Sequence, residues 1–218
     1  LNRQWATFYA SWEDIYPYSS PDGPPTEGLP PLALASWEYQ CWSLEDLNEW
    51  GTNLIRRHSD LPVFHNNFGY SGPHGSHWRM AKPGDWVVQD IYPATNPSPQ
   101  IYASFLLDCG VSISRSLNKP FWIGETNIGQ YGTFHRNRPN RRQIECHSME
   151  MLACGIEGLL YFRHRPPKYE QPHKFNGSAA ALRRNGSELH YAGTIRNVRC
   201  VIDALREYLP AKPVTPQV

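Results

Sequence analysis

Cysteine is scarce in this chain. The five present (Cys41, Cys109, Cys146, Cys154 and Cys200) are scattered and odd in number. None forms a C-x-x-C pair, which argues against a zinc knuckle or a disulfide framework. An excess of charge of either sign is also missing: 21 basic residues face 20 acidic ones, for a net +1. No bulk field therefore draws the chain to nucleic acid or to a membrane surface. No apolar run approaches the ~20 residues of a membrane span. A G-x-G-x-x-G turn is absent, which removes the usual phosphate-binding mark of a doubly wound sheet. Among the nine histidines, His74 and His77 are the closest pair. They lie in a Gly/Pro/Ser loop without further ligands at useful spacing, so a polar loop is favoured over a metal site. No metal or other cofactor is expected.

Aromatic residues, by contrast, are plentiful, with eight Trp and twelve Tyr. Such rings suit sugar faces, but equally cores and interfaces. Three apolar runs end in polar or aromatic side chains. Phe121-Trp122-Ile123 stops at Gly124 and delivers Glu125 to a Thr/Asn/Gly-rich loop. Trp86-Val87-Val88-Gln89-Asp90-Ile91 leads to Tyr92-Pro93, and Leu159-Leu160-Tyr161-Phe162 leads to Arg163-His164-Arg165. A fourth, shorter run, Pro62-Val63-Phe64, ends in His65-Asn66-Asn67. Strand ends of this kind are where a TIM barrel assembles its chemistry.

Between the runs lie helical patterns. Leu1 to Trp12 reads as an amphipathic helix already under way, and the first residue is Leu. The expectation is a fragment or processed piece of something longer. Tyr16 to Pro31 reads as loop. Ser43 with Asp46 resembles a capping box, followed by a stripe of Leu44, Leu47, Leu54 and Ile55. A long Gly/His/Ser loop precedes Trp86. Ser98-Pro99 starts a helix with Ile101, Phe105, Leu106 and Cys109 on one face. Asn140 caps a helix carrying Ile144, Met151 and Leu152, closed near Gly155. A last helix holds Ile195, Val198, Ile202 and Leu205. Strand and helix thus alternate four times, which implies an α/β fold with a parallel sheet. A whole eightfold barrel takes ~250 residues, so half a barrel is the simplest account, with an unpaired edge at its first strand. A small doubly wound sheet is the rival. Asn176-Gly177-Ser178 and Asn185-Gly186-Ser187 match the glycosylation sequon, but the turn reading of Asn-Gly is preferred.

The strand ends taken in order resemble family 42 of the glycoside hydrolases, retaining β-galactosidases on a TIM barrel. The likeness runs from Leu1-Asn2 with Trp5 to about Tyr191. It rests on Asn67-Phe68, Asp90-Ile91-Tyr92-Pro93, Glu125, Phe162-Arg163-His164-Arg165 and the E-x-x-H spacing of Glu170 and His173. The resemblance implies the second half of the barrel, about strands 5 to 8, with residues 1–218 as one partial catalytic domain. It implies Glu125 as nucleophile, Tyr92 and Phe162 lining the sugar pocket, and Glu170 and His173 on the hydroxyls of a terminal galactose. Two departures stand out. Tyr131-Gly132-Thr133-Phe134 occupies the region where the family usually has a Trp, and the family's metal-binding cysteine cluster has no counterpart.

Retaining glycosidases need a second carboxyl group as acid and base. Asn48-Glu49 falls inside a helix, so that group is expected upstream of this chain. The individual residues keep their plainer readings beside the functional ones. Asn67 orients Glu125 or merely ends a strand, Tyr92 and Phe162 line a pocket or pack a core, and Asp90 is tied to a neighbouring loop amide. Arg163 and Arg165 are cations available to Glu125. The first expectation is hydrolysis of terminal β-galactosides, with an oligosaccharide or galactoside as partner, no nucleic acid and no membrane. A homo-oligomer is compatible with the full-length protein. Two rivals stay open: a carbohydrate-binding remnant lacking the acid, and a polyanion-binding module using Arg136, Arg138, Arg141 and Arg142.

Overall fold

The structure is a computed structural model that describes residues 3, 8–15, 30–68, 75–93, 99–129, 139–166 and 180–211. Helix α1 spans Pro30–Arg56 and is followed by β1 (Asn67–Phe68), α2 (His77–Ala81) and β2 (Val87–Asp90). Then come α3 (Pro99–Leu117), β3 (Phe121–Asn127), α4 (Arg141–Ala153), β4 (Gly158–Phe162) and α5 (His190–Ala204). The four strands form one wholly parallel sheet in the order β1-β2-β3-β4. Each strand is laid beside the one before it. A doubly wound sheet reverses direction at a switch point, and this one does not.

The two faces of the sheet follow from side-chain alternation. Val87 and Ile91 of the β2 segment, with Phe121 and Ile123 of β3, turn to the helices. There they join Ala103, Leu106 and Leu107 of α3 and Met151 and Leu152 of α4 in one core. Each such side chain contributes roughly 1.5–3 kcal/mol by leaving water. Gly110 lets α3 approach closely, since a Cβ there would stand 2.2 Å from the Phe121 ring. The opposite face carries Trp86, Val88 and Asp90 beside Trp122 and Gly124. Along it Phe64, Trp86 and Trp122 stack at centroid spacings of 5.2 and 4.3 Å. Gly158 gives Trp122 its place, because a Cβ there would lie 2.1 Å from the indole.

Several local expectations need correction. The opening helix does not reach Trp12: residues 8–15 are irregular, with one 3-10 turn at Trp12–Asp14. The Asp14 carboxylate accepts the N–H groups of Ala10 and Ser11 there and holds the turn. Helix α1 begins at Pro30, a residue type suited to a first turn, rather than at Ser43. The Ser43 hydroxyl donates to the Gln40 carbonyl inside the helix and caps nothing. The run Pro62-Val63-Phe64 lies beside the start of β2, with Asp85 N–H on the Val63 carbonyl at 2.7 Å, but the ladder closes only at Asn67–Phe68. The long loop before Trp86 contains α2. β3 does not stop at Gly124 but runs on through Glu125 to Asn127.

Other readings hold. Helix α3 starts at Pro99. Asn140 caps α4, its side chain accepting the Gln143 N–H at 3.0 Å while Gln143 reaches back. Gly155 closes that helix at φ +88°. Asn185-Gly186 forms a tight turn, with Gly186 at φ +85° and Leu182 bridged to Glu188.

Candidate active site

Strand β3 contains one more residue than its neighbours along the same stretch. Ile123 pairs with Gln89 while Glu125 pairs with Asp90, and on the other side Ile123 pairs with Leu159 while Thr126 pairs with Tyr161. This is a β-bulge, a device that re-aims side chains beside active sites. Ile123 faces the helices, so strict alternation would send Glu125 there too. The bulge turns Glu125 to the opposite face, where Asp90 and Tyr92 lie. The Tyr92 hydroxyl donates a short hydrogen bond to Glu125 Oε2.

Aromatic rings surround this pair. Tyr92 is 3% exposed and meets Phe68 edge-on at 6.0 Å and Phe162 at 6.5 Å. The Phe162–Arg163 peptide is cis, and the Arg163 guanidinium lies 5.3 Å from the Phe162 ring centroid. Tyr161, one residue back, faces the other way and shares a 2.7 Å hydrogen bond with Ser148 of α4. The strand ends of β1, β2, β3 and β4 therefore bring Phe68, Tyr92, Glu125 and Phe162 together around one carboxylate.

Asp90 lies beneath Glu125. Asn66 Nδ2 donates to both of its oxygens, at 3.1 and 3.3 Å. Burial, and then the charge of Glu125, push the Asp90 carboxyl up to about 7; the Asn66 amide and the nearby Glu125 backbone oppose the rise. The expected tie to a loop amide is present, and its donor is Asn66. Sequence reasoning gave Asn66 no role, since nothing distinguishes it from Asn67 beside it. Asn67 itself is buried and donates to the Val88 carbonyl at 3.2 Å, the strand-ending role. Glu170 and His173 lie outside the described residues, as do Arg136, Arg138 and the Tyr131–Phe134 segment. Arg141 and Arg142 are exposed at the start of α4, where Arg141 pairs with Glu145 at 2.9 Å.

His77 is buried on α2, its Nδ1 3.2 Å from Gln89 Nε2; His74 is outside the described residues. Among the described residues no group of three His, Cys, Asp or Glu is placed to hold a metal. No helix among them is long and apolar enough to cross a membrane. A cavity of about 600 Å³ lies away from Asp90 and Glu125, between β4 and helices α4 and α5. Leu152, Ile156, Leu159, Ile195, Val198 and Ile202 make it largely apolar.

Comparison with known proteins places this arrangement. The family model described as β-galactosidase, glycoside hydrolase family 42, matches residues 1–215. The β-galactosidase YesZ of Bacillus licheniformis is 26% identical over 186 residues, covering 79% of this chain and 26% of that protein. Its counterpart in Bacillus subtilis is 24% identical over 172 residues, covering 76% and 25%. The chain thus spans about a quarter of the length of these curated relatives. Among solved structures, the β-galactosidase of the Antarctic haloarchaeon Halorubrum lacusprofundi superposes with a TM-score of 0.70 at 24% identity, covering 91% of this chain and 31% of that one. The β-galactosidase of the psychrophilic Marinomonas ef1 gives 0.72 at 18%, covering 97% and 35%. At these identities the superpositions show the shared TIM-barrel-like α/β fold.

Proposed function

Because the chain belongs to glycoside hydrolase family 42, we propose that it is the nucleophile-bearing half of a retaining β-galactosidase, with residues 1–218 part of one catalytic barrel. The observation that carries this is Glu125, turned by the bulge to the strand ends and held there by the Tyr92 hydroxyl. Its strands correspond to about the fifth to eighth of the barrel. Among the described residues the outer edges of β1 and β4 are unpaired, which fits that reading, as does the apolar groove beside β4.

The mechanism follows from one carboxylate held and one supplied. Glu125 attacks the anomeric carbon of a terminal β-galactoside as the glycosidic C–O bond breaks. The leaving oxygen takes a proton from an acid residue upstream of this chain, ~5–5.5 Å away across the bond. That residue, now a base, removes a proton from water, which releases the sugar from Glu125 with its anomeric configuration retained. The Tyr92 hydroxyl donates to Glu125 and fixes its direction. Phe162 and Phe68 wall the pocket, and Glu170 and His173 bind the sugar hydroxyls. Asn67 supports the end of β1.

The test is hydrolysis of a β-galactoside by the complete protein and by its Glu125→Gln variant. Activity that vanishes in the variant supports the proposal. Sugar binding without turnover in the complete protein would instead make the chain a binding remnant.

A further inference from the structure

On the reading that Glu125 is the nucleophile, we propose that Asp90 is its positioning residue: the Asp90 carboxyl locks the bulge of β3 from beneath and keeps Glu125 turned toward the substrate. A bulge leaves its extra residue outside the ladder, so something else must hold it. Gly124 brings no side chain of its own. A Cβ there would stand 2.6 Å from Val88 Cγ1, 2.8 Å from Asp90 Oδ1 and 3.1 Å from Asn66 Nδ2. The Asp90 carboxyl and the Asn66 amide thus fill the space that any other residue at 124 would claim.

The grip on Glu125 is two-sided. The Asp90 carboxyl lies against the backbone of Gly124 just before it, and its own carbonyl accepts the Ile91 N–H at 2.9 Å. Both contacts come from one dipeptide of the neighbouring strand. Asn66, bonded to both Asp90 oxygens, keeps the carboxyl from rotating away.

Asp90 is not placed to be the acid. It is register-paired with Glu125 on the adjacent strand and 8% exposed, under Gly124 and against Asn66. An acid and a nucleophile must flank the scissile bond, and these two lie side by side. The charge bearing on Asp90 is that of Glu125 from β3, while Asn66 faces it as a neutral amide.

The experiment compares Asp90→Ala, Asp90→Asn and Gly124→Ala in the complete enzyme, each also in a Glu125→Ala background supplied with azide. Azide replaces the missing carboxylate: its nitrogen bonds the anomeric carbon as the glycosidic C–O bond breaks, and the leaving oxygen takes the upstream acid's proton. Asp90→Ala is expected to lower kcat about 10²-fold through misplacement of Glu125, with KM close to the parent's. Asp90→Asn, which keeps the side chain's shape in the space beside Gly124, recovers most of that loss. Gly124→Ala displaces the carboxyl and repeats the Asp90→Ala pattern, which covers the case in which Asp90→Ala fails to fold. In the Glu125→Ala background none of these changes alters the azide-dependent rate, since no nucleophile is left to position. An unchanged kcat in both Asp90→Ala and Gly124→Ala, or an equal loss in the two backgrounds, overturns the proposal. Hydrolysis by Glu125→Ala without azide is a different failure: it removes the nucleophile assignment itself, and the role of Asp90 with it.

Discussion

Where the strands begin, Asp85 binds the Arg56 guanidinium at 2.7 Å and the Val63 N–H at 2.7 Å. Close by, the Lys119 ammonium caps the carbonyls of Ala81, Lys82 and Gly84. The rings of Phe64, Trp86 and Trp122 are stacked above them. Where the strands end, two carboxylates stand on adjacent strands at one register position. Asp90 is pushed up to about 7 by burial and by its neighbour. One end satisfies its charges and fills its volume; the other keeps like charges close and leaves rings around an opening. In a barrel the first arrangement serves stability and the second chemistry, and a site that strains its own groups depends on structure elsewhere to hold it.

The contrast can be broken at either end. The largest effect is expected from Glu125→Gln, with hydrolysis reduced at least about 10⁴-fold and a thermal midpoint no lower than the parent's, because one of two facing charges is gone. A clear fall in midpoint would mean that Glu125 stabilises the fold. Gly158→Ala makes the opposite demand. It presses a methyl into the Trp122 ring and is expected to cost roughly 1–3 kcal/mol in denaturant unfolding, with kcat unchanged in the protein that remains folded. Lys119→Met strips three carbonyls of their donor, at about 1–2 kcal/mol; a neutral result would show that water replaces the ammonium fully.

The remaining effect is one of pH. Asp90 holds its proton more tightly folded than unfolded, about 7 against an ordinary 3.8. Its contribution to stability is therefore full below about pH 4 and is lost as pH rises through 7. Asp85, held below its ordinary value first by the Val63 N–H, acts in the opposite sense. Subtracting the Asp90→Asn stability curve from the parent's isolates the first group. The difference is expected to decline between pH 4 and 7, and a flat difference would show that Asp90 titrates as an ordinary carboxylate.

Strands β2 and β3 were legible because a parallel strand buried on both faces is a short apolar run, as Val87-Val88 and Phe121-Trp122-Ile123 are; β1 was not, since its two residues, Asn67 and Phe68, form no such run. Helix α4 was legible at both ends, because Asn140 and Gly155 each have one strong local role. The bulge was not, since Gly124 reads equally as the stop of a strand and as its extra residue. Nor was the start of α1, where Pro30 and Pro31 carry loop and first-turn meanings alike. Of the site, Glu125 and Tyr92 could be named from sequence but their bond could not. It exists only because the bulge reverses the direction in which Glu125 points. Asn66 and Lys119 act on residues 24 and up to 38 positions away, a range at which sequence pattern is silent.

The bulge also sets what this strand can tolerate in evolution or in engineering. It shifts a two-residue repeat by one place, so facing depends on counting rather than on composition. Inserting one more residue between Phe121 and Gly124 would carry Glu125 into the helix layer and bring Thr126 to the opening, even if every residue were an excellent strand former. Deleting one would remove the bulge but leave Glu125 on its present face. Register is thus what this geometry demands of β3, ahead of the identity of most of its side chains.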